Sequence, residues 1–274
     1  MTPDNEDYTV TPFPRIRLPM VDGGRMGRQK HTIHGLVEFD VTEARRLIHA
    51  HKARTGQALS FTGFMVGCLG RAVGENPALH AYRSWRNQVV IFNDVDVNTL
   101  FEVEVGGKKT IRPHILRAVN RKRFLEINQE IRDFQQGHSA SQEAHFIDWF
   151  VRLPGFARRL FYRALFGNPQ MLKQYFGTVM LTAIGMFGSG AGWGLPVTNH
   201  TLQLTLGGIA RKPAYVGERI EPREFLSVTI SLDHDLVDGA PAARFAQRLK
   251  ELVEGAEDLT ELTDLTDLTD LTGL

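Results

Sequence analysis

The chain has 274 residues, of which 42 % are hydrophobic, 23 % charged and 9 % aromatic, a balance that excludes disorder as its main state. Its 32 Lys and Arg stand against 31 Asp and Glu, so the formal charge of +1 selects no nucleic acid as partner. One cysteine, Cys68, excludes an internal disulfide and any multi-cysteine metal site, and it fits a reducing, cytoplasmic setting. Met1 to Asp7 carries acids and a proline where an export signal would need basic residues followed by an apolar run.

Residues 1–20 hold Pro3, Pro12, Pro14 and Pro19 and are expected to be an extended arm. Gly35 to Asp40 predicts a strand, and Ala44, Leu47 and Ile48 after Thr42 predict a helix. Phe61, Phe64, Met65, Leu69 and Val73 repeat as the buried face of a second helix that ends before Asn76-Pro77. Strands are expected over Val89 to Phe92, Val95 to Val105 and Ile111 to Leu116, with Gly106-Gly107 as a hairpin turn. Arg121 to Gln136 reads as a solvated helix with only Leu125 and Ile127 as anchors.

Residues 146–176 interleave Trp149, Phe150, Phe156, Leu160, Phe161 and Tyr162 with Arg152, Arg158, Arg159 and Arg163. Two readings stand: helices laid on the core with solvated arginines, or a face for a membrane surface or partner. Gln174 to Ala210 has no charged residue, yet its glycines, Pro196 and Asn199 break it into pieces too short for a membrane span. It is expected to form buried strands around a glycine-rich loop. Residues 258–274 repeat Leu-Thr-Asp, a period of three that suits neither helix nor strand, and predict a low-complexity tail after a folded unit over 21–257.

The segment from Ser227 is the most informative for chemistry. Val228, Ile230, Leu232 and His234 share one phase of a two-residue alternation, which would place His234 on the buried side as a neutral imidazole able to accept a proton. Asp238-Gly239 supplies a turn, Pro241 fits a first helical turn, and Phe245, Leu249, Leu252 and Val253 form an apolar stripe. From spacing alone, His234 could equally be a hydrogen-bonded core histidine and Asp238 a helix cap.

The run from Ser231 to Phe245, containing His234-Asp235-Leu236-Val237-Asp238-Gly239, resembles the active-site segment of the acyltransferase catalytic domain of 2-oxo acid dehydrogenase complexes. Asn93 to Asn98, Gly185-Met186-Phe187-Gly188 and Leu206-Gly207-Gly208-Ile209 follow that family's order, so the likeness spans roughly residues 37–255. Chloramphenicol acetyltransferase shares the fold and the His-x-x-x-Asp-Gly motif. The resemblance implies an α/β fold, a two-layer sandwich with a mixed β-sheet, assembled as a homotrimer or a larger assembly with active sites between subunits. It also implies coenzyme A or acyl-coenzyme A as substrate. By the same resemblance His234 is the general base and Asp238 holds the active-site turn through an arginine, with Arg17 and Arg25 as candidates. Thr182 is the oxyanion donor, a role that needs only a hydroxyl.

Several features depart from the family. No lipoyl-bearing or subunit-binding segment is present in these residues, so no covalently attached lipoyl group is expected. Asp235 stands where Arg is usual, next to the proposed base, and could raise its pKa or repel an anionic substrate. Ala183 takes a usually polar position. Lys108, Lys109 and Arg112 are candidate contacts for coenzyme A phosphates. No histidine spacing predicts a metal, and Cys68 reads as a core thiol. The expected function is a stand-alone acyltransferase acting on a small-molecule thiol, hydroxyl or amine. The alternative is a trimeric scaffold with a degraded site.

Overall fold

Alternating side chains along the two longest strands set the architecture. In the computed structural model, which describes residues 7–105, 108–136, 150–185 and 190–260, eight strands form. They are β1 (Thr32–Asp40), β2 (Tyr82–Arg83), β3 (Val89–Val90), β4 (Val97–Val105), β5 (Lys108–Leu116), β6 (Val179–Ala183), β7 (Leu202–Val216) and β8 (Arg219–Asp233). Six of these make one mixed sheet in the order β1-β8-β7-β6-β4-β5, in which β6 runs parallel to both β4 and β7 and every other pair is antiparallel. β2 and β3 pair separately, so the strand expected over Val89 to Phe92 shrinks to two residues. Gly106 and Gly107 lie outside the described residues, and Val105 and Lys108 on either side of them are paired.

Described helices are α1 (Leu18–Gly27), α2 (Thr42–Thr55), α3 (Phe61–Glu75), α4 (Phe124–Gln135), α5 (Gly155–Gly167), α6 (Pro169–Phe176) and α7 (Gly239–Gly255). Side chains alternate across a strand, so Val228, Ile230, Leu204 and Leu181 point to one sheet face, where they are buried with Phe64, Leu69, Phe245 and Leu249 of α3 and α7. This makes the α/β two-layer sandwich with a mixed sheet. Ser60 starts α3 by accepting the Gly63 amide at 3.0 Å, and Cys68 inside it is buried, its thiol pKa pushed far up by desolvation.

Two expectations change. The N-terminal arm is not extended throughout, because Arg15–Arg17 forms a 3-10 turn that leads into α1 with Pro19 in its first turn, where a missing N–H is harmless. α4 is not a solvated helix: Phe124, Ile127, Ile131 and Phe134, spaced three, four and three apart, are all buried, whereas Leu125 is exposed. Counting charges hid a regular aromatic and aliphatic stripe.

α5 and α6 do not lie on the main core as a simple cover. Phe150, Tyr162 and Leu165 form a second cluster, joined to α1 by a bond from the Tyr162 hydroxyl to the Pro19 carbonyl and by an ion pair of Arg158 with Asp22 at 2.8 Å. Arg158, expected in solvent, is buried, because Asp22 lies beneath it. Beyond α7, Leu259 is buried and Asp258 pairs with Arg71; residues 261–274 lie outside the described ones.

Candidate active site

The sheet face away from α3 and α7 carries polar rows. Leu36, Thr229, Thr205 and Thr182 stand in register across β1, β8, β7 and β6, and beside them run His34, Ser231, Gln203, Met180 and Asn98. A cleft of about 460 Å³ opens over the β4–β6–β7 part of this face, within the range of small-molecule sites. Thr182, Gln203 and Thr205 give it a polar floor, Leu100, Ile111, Ile184 and Leu195 give it apolar walls, and Glu102 also lines it. The Thr182 hydroxyl has only long contacts, 3.3 Å to the Thr205 hydroxyl and 3.5 Å from the Gln203 amide, so it is free to turn toward a bound oxygen. Gln203 and Thr205, absent from the sequence-based candidates, stand out in the alternation of Thr201, Gln203 and Thr205 against Leu202, Leu204 and Leu206.

Glycine shapes one wall of the cleft. At Gly207 and Gly208 an added Cβ would come within 1.9 Å of the Gly192 carbonyl oxygen and 1.8 Å of that of Gly190, and Gly208 donates its amide to Gly192 at 3.0 Å. Only a chain without side chains lets the 190–194 segment lie against β7 at its bulge between Leu206 and Ile209, placing Gly194 and Leu195 at the cleft. Of the Gly185 to Gly188 block, only Gly185 falls within the described residues.

His234 stands elsewhere. β8 ends at Asp233, so the alternation stops one residue early and His234 is exposed on the following turn instead of buried on the apolar face. The corner is tied down from three sides. The Asp233 amide donates to the Thr201 carbonyl, the His234 amide donates to the His31 carbonyl at 2.9 Å, and the buried Asp233 carboxylate meets Lys30 at 2.5 Å. Asp235 is occupied by His31 at 2.8 Å, and that bond holds the His31 pKa above its ordinary value. The residue replacing the usual Arg thus has a local partner.

Lys30 and Asp233 are 203 positions apart, and no sequence pattern links them. Lys30→Met is expected to lower stability by about 2 kcal/mol, less than the loss of a fully buried partner because Lys30 keeps some water. A fall in the urea midpoint at unchanged slope would show it; an unchanged midpoint would mean that Asp233 is held without Lys30.

Asp238 is exposed at the N-cap of α7 with no side-chain cap bond, and no arginine pairs with it among the described residues. Arg25, one proposed partner, is on Asp22 instead at 3.3 Å, and Arg17 is exposed. Arg112 sits opposite Phe101 on the helix-facing side of β4–β5, away from the cleft, and the side chains of Lys108 and Lys109 lie outside the described ones. No group of three or more potential metal ligands occurs among the described residues. A second cleft of about 720 Å³ along α4, lined by His114, Glu130 and Phe134 among others, holds none of the predicted site residues.

One chain does not bring His234 and Thr182 together. Thr182 is level with Thr229 on β8, five residues before His234, which at about 3.4 Å per residue is roughly 17 Å along the strands alone.

Residues 164–261, which hold Thr182, His234 and Asp238, match the family model of the 2-oxoacid dehydrogenases acyltransferase (catalytic domain). Over those residues the chain is similar to the 2-oxo acid dehydrogenase acyltransferases. The dihydrolipoyllysine-residue succinyltransferase component of the Saccharomyces cerevisiae 2-oxoglutarate dehydrogenase complex is 24 % identical over 90 % of this chain and 50 % of its own length. The corresponding acetyltransferase of the Acholeplasma laidlawii pyruvate dehydrogenase complex is 38 % identical over 30 % of this chain and 15 % of its own. The chain therefore spans about half the length, or less, of these curated relatives. In fold it is similar to a probable dihydrolipoamide acetyltransferase from Listeria monocytogenes, with TM-score 0.68, 19 % identity, and coverage of 92 % of this chain and 97 % of that one. Chloramphenicol acetyltransferase follows at TM-score 0.51 and 16 % identity, covering 88 % and 96 %.

Proposed function

We propose that the protein is a coenzyme A-dependent acyltransferase whose site is completed between copies of the chain, His234 of one facing the Thr182 cleft of the next. The observation that carries this reading is the division of the site. A loosely bonded hydroxyl lines the cleft, and an exposed imidazole stands outside it on a corner fixed by Lys30, His31 and Thr201. The homotrimer that the family resemblance implies would join the two halves.

In the proposed step the imidazole takes the proton of an acceptor thiol, hydroxyl or amine as it attacks the acyl thioester carbon. Thr182 donates a hydrogen bond to the oxyanion that forms. When the tetrahedral species collapses, the C–S bond breaks and the imidazolium returns the proton to the coenzyme A thiolate. Lys108 and Lys109 at the end of the β4–β5 hairpin are the proposed phosphate contacts, within three residues of Ile111 in the cleft wall.

The test is release of free coenzyme A from a panel of acyl-coenzyme A donors, with dihydrolipoamide and small alcohols or amines as acceptors. His234→Ala is expected to lower turnover by about 10²–10⁴-fold and Thr182→Val by about 10²–10³-fold, with Thr182→Ser largely retained. Mixing the two inactive variants should restore activity, since some interfaces in the mixed oligomer then hold both intact residues. Neither turnover nor coenzyme A binding in the native protein would leave the scaffold reading. A monomer in solution would remove the shared site.

A further inference from the structure

α5 has two faces of different character. Inward, Arg158, Tyr162 and Leu165 are buried in the cluster shared with α1. Outward, Phe156 and Leu160 are 69 % and 67 % exposed, and Arg159 and Arg163 beside them are exposed as well. At 3.6 residues per turn these four side chains fall within an arc of about 100°, so one narrow stripe presents two large apolar groups and two guanidiniums. Arg152, just before the helix, adds a third exposed cation.

The charge along this segment of the chain is of one sign. From Trp149 to Gly217 the sequence holds no Asp or Glu, and no described acidic side chain pairs with Arg152, Arg159 or Arg163. Apposition of this face to the same face of a second copy would set arginine against arginine. Charge complementarity favours an anionic partner, which must also accept Phe156 and Leu160 from within the same stripe. A bilayer surface with acidic headgroups offers both in the required order of depth. Apolar rings and chains sink about 5–10 Å to the acyl boundary, while guanidiniums on long stems rise to the phosphates. No described helix is long and apolar enough to cross a membrane, so the contact is one of lying on the surface.

We propose that α5 docks this protein onto an anionic phospholipid surface through Phe156, Leu160, Arg159 and Arg163. The inference is independent of the acyltransferase reading, because it uses none of the residues of the cleft or of the His234 corner.

The experiment is sedimentation of the full chain with vesicles of phosphatidylglycerol and phosphatidylcholine, against vesicles of phosphatidylcholine alone. Binding is expected only to the anionic vesicles and should weaken as salt rises. Arg159→Gln with Arg163→Gln should lower partitioning about 30-fold, from a contribution of about 1 kcal/mol for each basic residue at the surface. Phe156→Ser with Leu160→Ser should lower it at least about tenfold through lost apolar burial. Phe156→Trp, which leaves the stripe intact, should be quenched by brominated phosphatidylglycerol, and it decides the matter if a double variant fails to fold. Equal binding to both vesicle types, no binding at low salt, or an unquenched Trp at 156 would overturn the proposal. So would binding that survives both double variants. A change in the particle's mass in either double variant, without vesicle binding by the native chain, would instead make this face a contact between copies.

Discussion

Between pH 7 and pH 4.5 the folded state is expected to lose about 5 kcal/mol, a third or more of the roughly 5–15 kcal/mol by which domains of this kind are stable. The loss comes from two buried histidines. Burial pushes His80 down to about 4 against weaker opposition from its bond to the Phe92 carbonyl, and the nearby Lys173 cation acts in the same direction as burial. Burial pushes His200 down to about 4 likewise, opposed by the Phe176 carbonyl. Both are neutral in the fold: Nε2–H of His80 donates to Phe92 at 3.0 Å while Nδ1 accepts from the Thr178 hydroxyl, and Nε2–H of His200 donates to Phe176 at 2.9 Å.

Once unfolded, each histidine titrates near 6.5 and takes up a proton that the native state refuses until about pH 4. Stability therefore falls as pH drops through that window, by roughly 2.5 kcal/mol per histidine at pH 4.5. Urea unfolding followed as a function of pH should give a slope of nearly two protons between pH 6 and 5. His200→Asn should remove about one of them. A flat profile over this range would show that the two rings stay accessible to protons in the fold.

Arg158→Ala is expected to destabilise the protein by about 3–5 kcal/mol, which for a chain of this size is a fall in Tm of roughly 10 °C. Arg158 gives one N–H to Asp22 at 2.8 Å and another to the Leu153 carbonyl at 2.6 Å, and Asp22 is 4 % exposed. Without Arg158 the buried carboxylate keeps only the exposed Arg25, and the partly buried Leu153 carbonyl loses its donor. Asp22→Asn in the same chain should recover part of the loss, because the uncompensated charge is then gone. A double variant no more stable than Arg158→Ala would assign the effect to packing of the arginine stem. The near-ultraviolet signal of Phe150, Tyr162 and their neighbours should report the change first, since the cluster joins α1 through this pair.

Much of this arrangement was legible in the sequence where local periodicity and the final environment agree. α3 follows from its apolar spacing, and the second half of β8 follows from the alternation that begins at Ser227. Elsewhere a single residue or a distant partner decides. His234 continues the apolar phase of β8 by count, but the strand stops at Asp233 and the backbone turns out of the sheet. Arg158 looks like its neighbours Arg159 and Arg163, and only the fold brings Asp22 beneath it. α4 departs from its expected solvation for a different reason. Its anchors include Phe124 at the first helical position and Phe134 near the last, and a count of interior aliphatics passes over both. In the candidate site Thr182 was reached through resemblance, whereas Gln203 and Thr205 needed only the period of β7, and Lys30 and His31 needed the β1–β8 register.

The tie between α1 and α5 also bears on synthesis of the chain. Asp22 and Arg158 are separated by 136 positions, so at about 5–20 residues per second the ribosome needs roughly 7–27 s after making α1 before its ionic partner exists. Through that interval the first helix has neither Arg158 nor the Tyr162 hydroxyl to hold it, and its register against the Val197–Asn199 segment is equally unmade. α1 is thus made well before the residues that fix it, and β1 waits longer still, because its partner β8 is translated after them.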